Sequence, residues 1–318
     1  MTVKSVDRLA YSGTLDGVLK RACSTYDVGI LKTANIVKVG YEDCNVVLDT
    51  ISGKYVAKIF SKERTSEQIT RYVNIMNAVV SAGINHPELV KTKEGTLVFS
   101  DEKTHLSMVV MKFIEGNTFF EMNRTPTKKE LMAVLEQAAK INKIKIEPVF
   151  LFDSWAIPNI NHTYQRVKRF MNVDDKVMVE KVINKYNELP VDKLPRCFVH
   201  GDFTKANVLK GNDGKIYILD FSVSNIYPRI QELAIIVANL MHDDKLSLEK
   251  KCELVAKEYN KINKLSIQEH KLLYSYALAG VAMEFIGANQ EKYLKNNNSP
   301  ETNYWLNLGR NGLQKELK

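Results

Sequence analysis

The chain has 318 residues, 45% of them apolar and 26% charged, with a formal net charge of +8 and a pI near 9.0. That length holds a sizeable core and more than one lobe, and the composition excludes a fibre, wholesale disorder and a disulfide scaffold. The four cysteines, Cys23, Cys44, Cys197 and Cys252, lie far apart, with no C-x-x-C pair and no histidine at zinc-ligand spacing. The lysines are spread along the whole chain and not gathered into one patch, so the charge speaks for anionic small ligands and against nucleic acid as a partner.

In chain order, the first 35 or so residues read as helical, with Leu15, Val18, Leu19 and Cys23 at helical spacing. The opening stretch is charged throughout and lacks the apolar core of a secretory signal, which sets the expectation of a cytoplasmic protein. From Ala34 to Phe60 the period changes to strands, and a two-residue Ser52-Gly53 loop would pair NVVLD with YVAKIF antiparallel. Thr65–Gly83 carries a helical pattern through Ile69, Tyr72, Val73, Met76 and Val80 and stops at a glycine. Leu89–Gly116 returns to strand-like runs around a Glu94-Gly95 turn. Helical patterns then dominate, over 128–145, 162–171, 174–189, 231–242, 247–261, 267–290 and 303–315. The most apolar run, Tyr276–Ala288, is too short to span a bilayer and carries Glu284, so no membrane partner is expected. The expected fold class is α+β, with a small β-rich N-lobe over 1–112 and a larger, mainly helical C-lobe over 113–318.

One segment interrupts the helices. HGDFTKANVLKGNDGKIYILDFS, His200 to Ser222, concentrates polar residues among apolar runs around a turn. With Asp213-Gly214 as a two-residue loop, Asn207 would face Asp220, with Cβ atoms roughly 4.5–5.5 Å apart. An amide oxygen and a carboxylate at that separation suit a hard divalent cation such as Mg2+. Asp202 lies five residues before Asn207, the spacing at which a kinase catalytic loop keeps its proton acceptor and one metal ligand, and Asp220-Phe221 supplies a second ligand. His200 has no second nitrogen or sulfur ligand spaced to help it hold a metal, and is expected to pack beneath the site and hold main-chain carbonyls.

A phosphoryl-transfer site also needs a cation for the nucleotide phosphates. Lys58 in YVAKIF shares a strand face with Val56 and Phe60 and so points inward, where it needs a carboxylate partner. Glu67 on the following helix is the best-placed acid and Glu63 the fallback. The turn before the second strand, Gly40–Asn45, ending in Cys44 and Asn45, could cover phosphates with its main-chain N–H groups. It is not a G-x-G-x-x-G loop, and no Walker-type loop exists.

HGDFTKANVL, YILDFS, YVAKIF and VVMKFIEG together resemble the aminoglycoside phosphotransferase superfamily, small-molecule kinases with a protein-kinase-like bilobal fold that include choline and homoserine kinases. The likeness runs over about Val37–Asn239. It implies ATP and Mg2+ as cofactors, Asp202 as catalytic base or substrate-orienting acid, Asn207 and Asp220 as metal ligands, and Lys58 on the α- and β-phosphates with Glu67 as ion-pair partner. It further implies Met111 behind the adenine, with Lys112 and Ile114 offering main-chain groups to its edge. Glu232-Leu233-Ala234 fits the family's acid-Leu-Ala run with Glu for the commoner Asp, whereas Ile141-Asn142 replaces its Leu-His pair. After Asp-Phe-Ser there is no activation segment and no A-P-E, which argues against a peptide substrate. The expected function is transfer of the γ-phosphate of ATP to a hydroxyl of a small molecule, with a homoserine- or choline-like acceptor favoured, by a monomer or homodimer. An aminoglycoside-resistance kinase and a catalytically silent pseudokinase are the alternatives.

Overall fold

A computed structural model describes residues 6–317, so the first five residues of the N-terminal segment read as helical lie outside the described residues. The chain divides into two compact units, one running to Val80 and including His86–Glu115, the other comprising Ser81–Asn85 and the chain from Gly116 onward.

The first unit opens with helix α1 (Asp16–Thr25), which buries Val18, Leu19, Ala22 and Cys23. Strand β1 (Leu31–Ile36) follows, so the N-terminal segment is helical over ten residues and already extended by Leu31. Strands β2 (Cys44–Thr50) and β3 (Gly53–Ile59) precede helix α2 (Ser66–Ser81), and β4 (Leu89–Val90), β5 (Phe99–Ser100) and β6 (Ser107–Lys112) complete an antiparallel sheet of order β1-β2-β3-β6-β4, with β5 also on β6. Alternate β2 residues Cys44, Val46, Leu48 and Thr50 are buried, the period-2 signature of one covered face. Cys44, Val46 and Leu48 join Leu19, Cys23, Ala57, Ile59, Met108 and Val110 in one core.

The β2–β3 turn differs from the expected one. Thr50 pairs with Gly53, so the loop is Ile51-Ser52 and Asn45 faces Lys58. Thr50 sets this register: its buried hydroxyl shares its one proton between the carbonyls of Val28, at 2.6 Å, and Gly53, at 2.9 Å, and accepts from the Ser52 N–H, closing the turn one residue earlier.

The second unit is mainly helical: α3 (Lys128–Ile141), α4 (Ile160–Val167), α5 (Val173–Asn187), α6 (Ile230–Ile235), α7 (Leu248–Tyr259), α8 (Ile267–Leu294) and α9 (Pro300–Leu317). Helix α6 continues as a widened π-helical turn over Ile236–Leu240. Two small antiparallel sheets are set among the helices. Strands β7 (Gly116–Thr118), β9 (Val208–Gly211) and β10 (Ile216–Ile218) form one, and β8 (Arg196–Val199) with β11 (Asn225–Pro228) the other. Helix α8 is buried almost continuously from Tyr276 to Glu291, which is why its apolar residues show no single face. Its small residues admit close neighbours: Gly280 meets Ala238 and Ile157, and Gly287 meets the Trp155 indole. No helix of the described residues is long and apolar enough to cross a membrane.

Candidate active site

The second unit gathers the acid and amide side chains. Strand β8 ends at Val199, and Gly201, with φ +88°, turns the chain into the loop that carries Asp202 and Asn207 before β9 begins at Val208. Only a residue without a Cβ takes that left-handed turn at no steric cost. Asn207 Nδ2 donates to Asp202 Oδ2 at 2.6 Å and to the Asp202 carbonyl at 3.2 Å. The amide is thereby oriented, and its Oδ1 is left as the free acceptor of the group.

The hairpin register is not the expected one. Lys210 pairs with Ile216, Leu209 with Tyr217 and Val208 with Ile218, and the Gly211 N–H bonds the Lys215 carbonyl. The loop is therefore Asn212–Asp213–Gly214, three residues and not two, with Gly214 at φ +82°. Asp213 explains the difference, since its carboxylate accepts from the Lys215 N–H and the Tyr217 hydroxyl and so draws an extra residue into the bend. Asn207 consequently faces Leu219, whose N–H bonds the Asn207 carbonyl at 2.8 Å, and Asp220 is the next residue beyond the ladder. Asp220 has φ +59°, a conformation that a non-glycine residue holds only with local support. Ser222 supplies it, donating to Asp220 Oδ1 from its N–H at 3.2 Å and its hydroxyl at 2.5 Å.

His200 fastens the two halves of this arrangement. Its Nδ1 accepts from the Asp202 N–H at 3.1 Å, which assigns the proton to Nε2, and Nε2–H donates to the Leu219 carbonyl at 2.8 Å. The ring is fully buried between Phe203 and Phe221, with ring centroids 5.2 and 4.5 Å away. Burial pushes its pKa down to about 4, which keeps the imidazole neutral and able to both accept and donate. Beneath it, the buried Glu232 carboxylate accepts from the N–H groups of His200 and of Gly201, the latter at 3.2 Å. Burial pushes Glu232 up to about 8 against those two donors. Asn142, at the end of α3, is buried, donates to the Phe198 carbonyl at 3.1 Å and accepts from the Tyr259 hydroxyl at 2.7 Å, so it braces β8 from behind.

Lys205, Asn239 and Asp243, also around the loop, carried no signal in the sequence. Lys205 is completely buried and pairs with Asp243, and its N–H is bonded by Asn239 Oδ1 at 2.9 Å. Asn239 sits in the π-helical turn, and its Nδ2 donates to Glu284 on α8 at 2.8 Å. Spacing gives no hint of these contacts, because they join residues 34 and 45 positions apart.

In the first unit Lys58 is 2% exposed, in a stretch of β3 buried on both faces from Ala57 to Ile59. Its ammonium lies 3.2 Å from Asp43 Oδ2, with both side chains almost wholly shielded, and 5.5 Å from the centre of the Tyr72 ring. The expected partner Glu67 is exposed on the first turn of α2, where a hydrogen bond from Thr65 lowers its pKa, and Glu63 is exposed as well. Asp43 takes the role because it stands two residues before Asn45, the residue opposite Lys58. Asp43 also accepts from the Ser61 N–H at 3.0 Å and from Arg64.

The remaining nucleotide-binding expectations separate. Cys44 and Asn45 are strand residues of β2 and not part of the covering turn. The Cys44 side chain is fully buried in the sheet core, where burial pushes the thiol up, and the Asn45 carbonyl already accepts from Val37. The turn itself is Gly40–Asp43, where the Gly40 carbonyl accepts from Arg8, Glu42 pairs with Arg64 and Asp43 is buried against Lys58. Met111 is buried in β6 between Val56 and Leu89. The Lys112 N–H is committed to the Glu88 carbonyl and its side chain to the Glu88 carboxylate, both at exposed positions. Ile114, past the end of β6, makes no main-chain hydrogen bond among the described residues and keeps both groups available.

Among the described residues no group of three or more His, Cys, Asp or Glu is arranged to hold a metal. The donor set that remains, the Asn207 amide oxygen with the Asp220 carboxylate, is hard and few in number, the chemistry of an ion that keeps most of its water.

Comparison with known proteins places this architecture. The chain is similar to the homoserine kinase of Brucella anthropi, 26% identical over 117 residues that make up 37% of this chain and 34% of that protein. It is also similar to the homoserine kinase of Methylobacillus flagellatus, 22% identical over 251 residues, 77% of this chain and 75% of that one. The first of these matches thus spans about a third of the relative's length. Solved structures with the same fold include spectinomycin phosphotransferase in complex with ADP and spectinomycin, with TM-score 0.69, 15% identity, and 95% of this chain and 97% of that one covered. Choline kinase from Streptococcus pneumoniae has TM-score 0.66 and 12% identity, with 95% and 99% covered. A microcompartment-associated aminopropanol kinase has TM-score 0.65 and 12% identity, with 93% and 95% covered. At these identities the likeness establishes a kinase-like fold, with a β-rich N-terminal part and a helical C-terminal part. The model of the phosphotransferase enzyme family matches residues 33–250, well over half of the chain and a span holding Lys58, Asp202, Asn207 and Asp220, and the chain belongs to that family.

Proposed function

We propose that the protein transfers the γ-phosphoryl group of ATP to a hydroxyl of a small-molecule acceptor. The observation that carries the reading is the hydrogen bond from Asn207 Nδ2 to Asp202 Oδ2: it aims the Asp202 carboxylate and frees the Asn207 oxygen in one stroke. In the reaction the acceptor oxygen forms a bond to the γ-phosphorus as the bond to the β–γ bridging oxygen breaks, and Asp202 takes the hydroxyl proton. His200, neutral and bonded at both nitrogens, holds the Asp202 loop against the strand that ends in Asp220. Asn207 and Asp220 are the ligands for a divalent ion, Mg2+ in this reading, which when bound supplies positive charge to the phosphate oxygens. Lys58 is the cation for the α- and β-phosphates, and Ile114 the main-chain contact to the adenine edge.

A homoserine- or choline-like acceptor is favoured, because homoserine kinases recur among the similar proteins and choline and aminopropanol kinases among the structures. An antibiotic acceptor is the alternative, supported by the spectinomycin phosphotransferase likeness. The four cysteines are free thiols, which supports a reducing, cytoplasmic setting.

The test is ADP release from ATP and Mg2+ over a panel of amines, amino alcohols, sugars and aminoglycosides. Asp202→Ala is expected to bind nucleotide normally and lose turnover by a factor of roughly 10²–10⁴. Asp220→Ala is expected to lose metal-dependent nucleotide binding itself. Equal loss of binding in both variants would overturn the assigned roles, and nucleotide binding without transfer to any acceptor would establish the pseudokinase instead.

A further inference from the structure

Between α3 and α4 the chain runs without helix or strand through Lys145–Phe152. This loop leaves Val149 79%, Phe150 63% and Phe152 46% exposed. A lone exposed apolar residue is ordinary, but three within four positions mark a contact surface. The loop is also held in place. Asn225, buried on β11, donates from Nδ2 to the Leu151 carbonyl at 2.6 Å and accepts from the Leu151 N–H at 3.4 Å. Both main-chain groups of the residue between the two phenylalanines are thereby fixed. Phe150 meets Tyr227 edge-on, with ring centroids 6.5 Å apart, and Phe152 meets His162 edge-on at 4.9 Å, contacts that leave much of both rings to solvent.

Each of these ring contacts leads into basic ground. From His162 the exposed side of α4 continues with Arg166 one turn on, and Lys168 and Arg169 are exposed in the short turn that closes the helix. No acid occurs between Asp153 and Asp174, and Asp153 is itself buried, its carboxylate accepting from the Trp155 N–H. On the other side, Tyr227 precedes Pro228, whose partner across the β8–β11 ladder is the exposed Arg196, donating to the Ile226 carbonyl at 2.8 Å. Lys143 and Lys145 are exposed where the loop begins. Over 143–152, 160–170 and 192–196 together, seven exposed lysines and arginines stand against two exposed acids, Glu147 and Asp192. The sequence spreads these cations over separate segments, and the fold sets them beside one apolar tip.

We propose that the 145–152 loop and its basic rim dock the protein on an anionic lipid surface, Phe150 and Phe152 entering the boundary between headgroups and acyl chains while the rim lies on the lipid phosphates. Apolar insertion and a basic rim are each weak anchors, and together they hold a protein to a membrane. Three apolar side chains are too few for the core of a stable protein interface, which draws on about 20–30 residues a side. Two copies meeting tip to tip would also bring the same cationic rim together. No helix of the described residues is long and apolar enough to cross a membrane, so the contact is peripheral. The sequence expectation of no membrane partner rested on the lack of a span, and a surface contact needs none.

The experiment is cosedimentation of the full chain with vesicles of phosphatidylcholine alone and of equal parts phosphatidylcholine and phosphatidylglycerol, at low and high salt, which needs neither nucleotide nor acceptor. Wild type is expected to partition onto the anionic vesicles at least about tenfold more strongly than onto the neutral ones, and salt is expected to release it. Phe150→Ser with Phe152→Ser should weaken that partition by about tenfold or more. Lys145→Glu with Arg169→Glu, which alters the rim on both sides of the tip and leaves the phenylalanines in place, should do the same. All four positions are exposed or half-buried at the surface, and an unchanged thermal midpoint confirms that each variant folds. Equal binding to both vesicles, binding to neither, or binding that either pair of substitutions leaves intact overturns the proposal. Binding of soluble polyglutamate without binding of vesicles assigns the surface to an acidic protein instead. A dimer in light scattering that the phenylalanine substitutions dissolve, again without vesicle binding, assigns it to a second copy of the chain.

Discussion

Lys58 and Asp43 meet at 3.2 Å with their side chains 3% and 2% exposed. Two charges taken that far from water hold only as a pair, and removing one strands the other. Asp43→Ala is therefore expected to destabilise the fold by about 3 kcal/mol in denaturant unfolding, whereas Glu67→Ala should leave the unfolding midpoint essentially unchanged. The opposite ranking would return the ion pair to the helix acid. The inward aim of Lys58 was legible because strand residues alternate, and Val56 and Phe60 share its parity. Its partner was not legible, because Asp43 reaches Lys58 across a hairpin whose register is set by the Thr50 hydroxyl, a contact that no spacing rule reports. The same holds for Asn239 and Glu284. Asn239 looks like an ordinary helical residue, and the bond between it and Glu284 exists only once α8 and the π-helical turn are packed together.

Among the elements, the helices followed their patterns closely and the hairpins slipped by one residue. Apolar periodicity averages over many positions, whereas a turn hangs on one or two side-chain bonds such as those of Asp213. The strands β7, β8 and β11 were missed because each is three or four residues long, and nothing local separates so short a strand from a loop. The contact of α9 with α8 turns on Gly309, where a Cβ would lie 2.7 Å from the Phe285 Cα. Gly309→Ala is expected to cost on the order of 1–3 kcal/mol by thermal unfolding, and a neutral result would mean that α9 moves freely to accommodate it. His242 follows the π-helical turn, and its pKa is held down to about 4, by burial first and by Lys251, Lys205 and Lys315 against Asp243. The sign follows from that depression. The folded protein keeps this imidazole neutral while the unfolded chain protonates near pH 6.5, so the contribution is fully present above pH 6.5 and is lost as pH falls towards 4. His242→Gln should flatten the wild-type loss of stability across that window by about 2 kcal/mol. An unchanged pH profile would assign the titration elsewhere.

For the molecule as a whole, a nucleotide that binds the native state alone raises stability by mass action, by about 2.7 kcal/mol at a hundredfold excess over Kd. A thermal-shift series with ATP and Mg2+ should show this for wild type and for Asp202→Ala and not for Asp220→Ala. A shift that persists in Asp220→Ala would remove that residue from the metal site. Length and period were enough to read the α+β class, the β-rich then helical order and the inward lysine, because each is encoded within a few neighbouring residues. Only the tertiary structure decided which acid holds Lys58, where Asp220 stands in the hairpin and that Asn239 ties Glu284 to the catalytic loop. Those depend on register and on packing between residues far apart in the chain, where the energy of a contact exists only once the elements have come together.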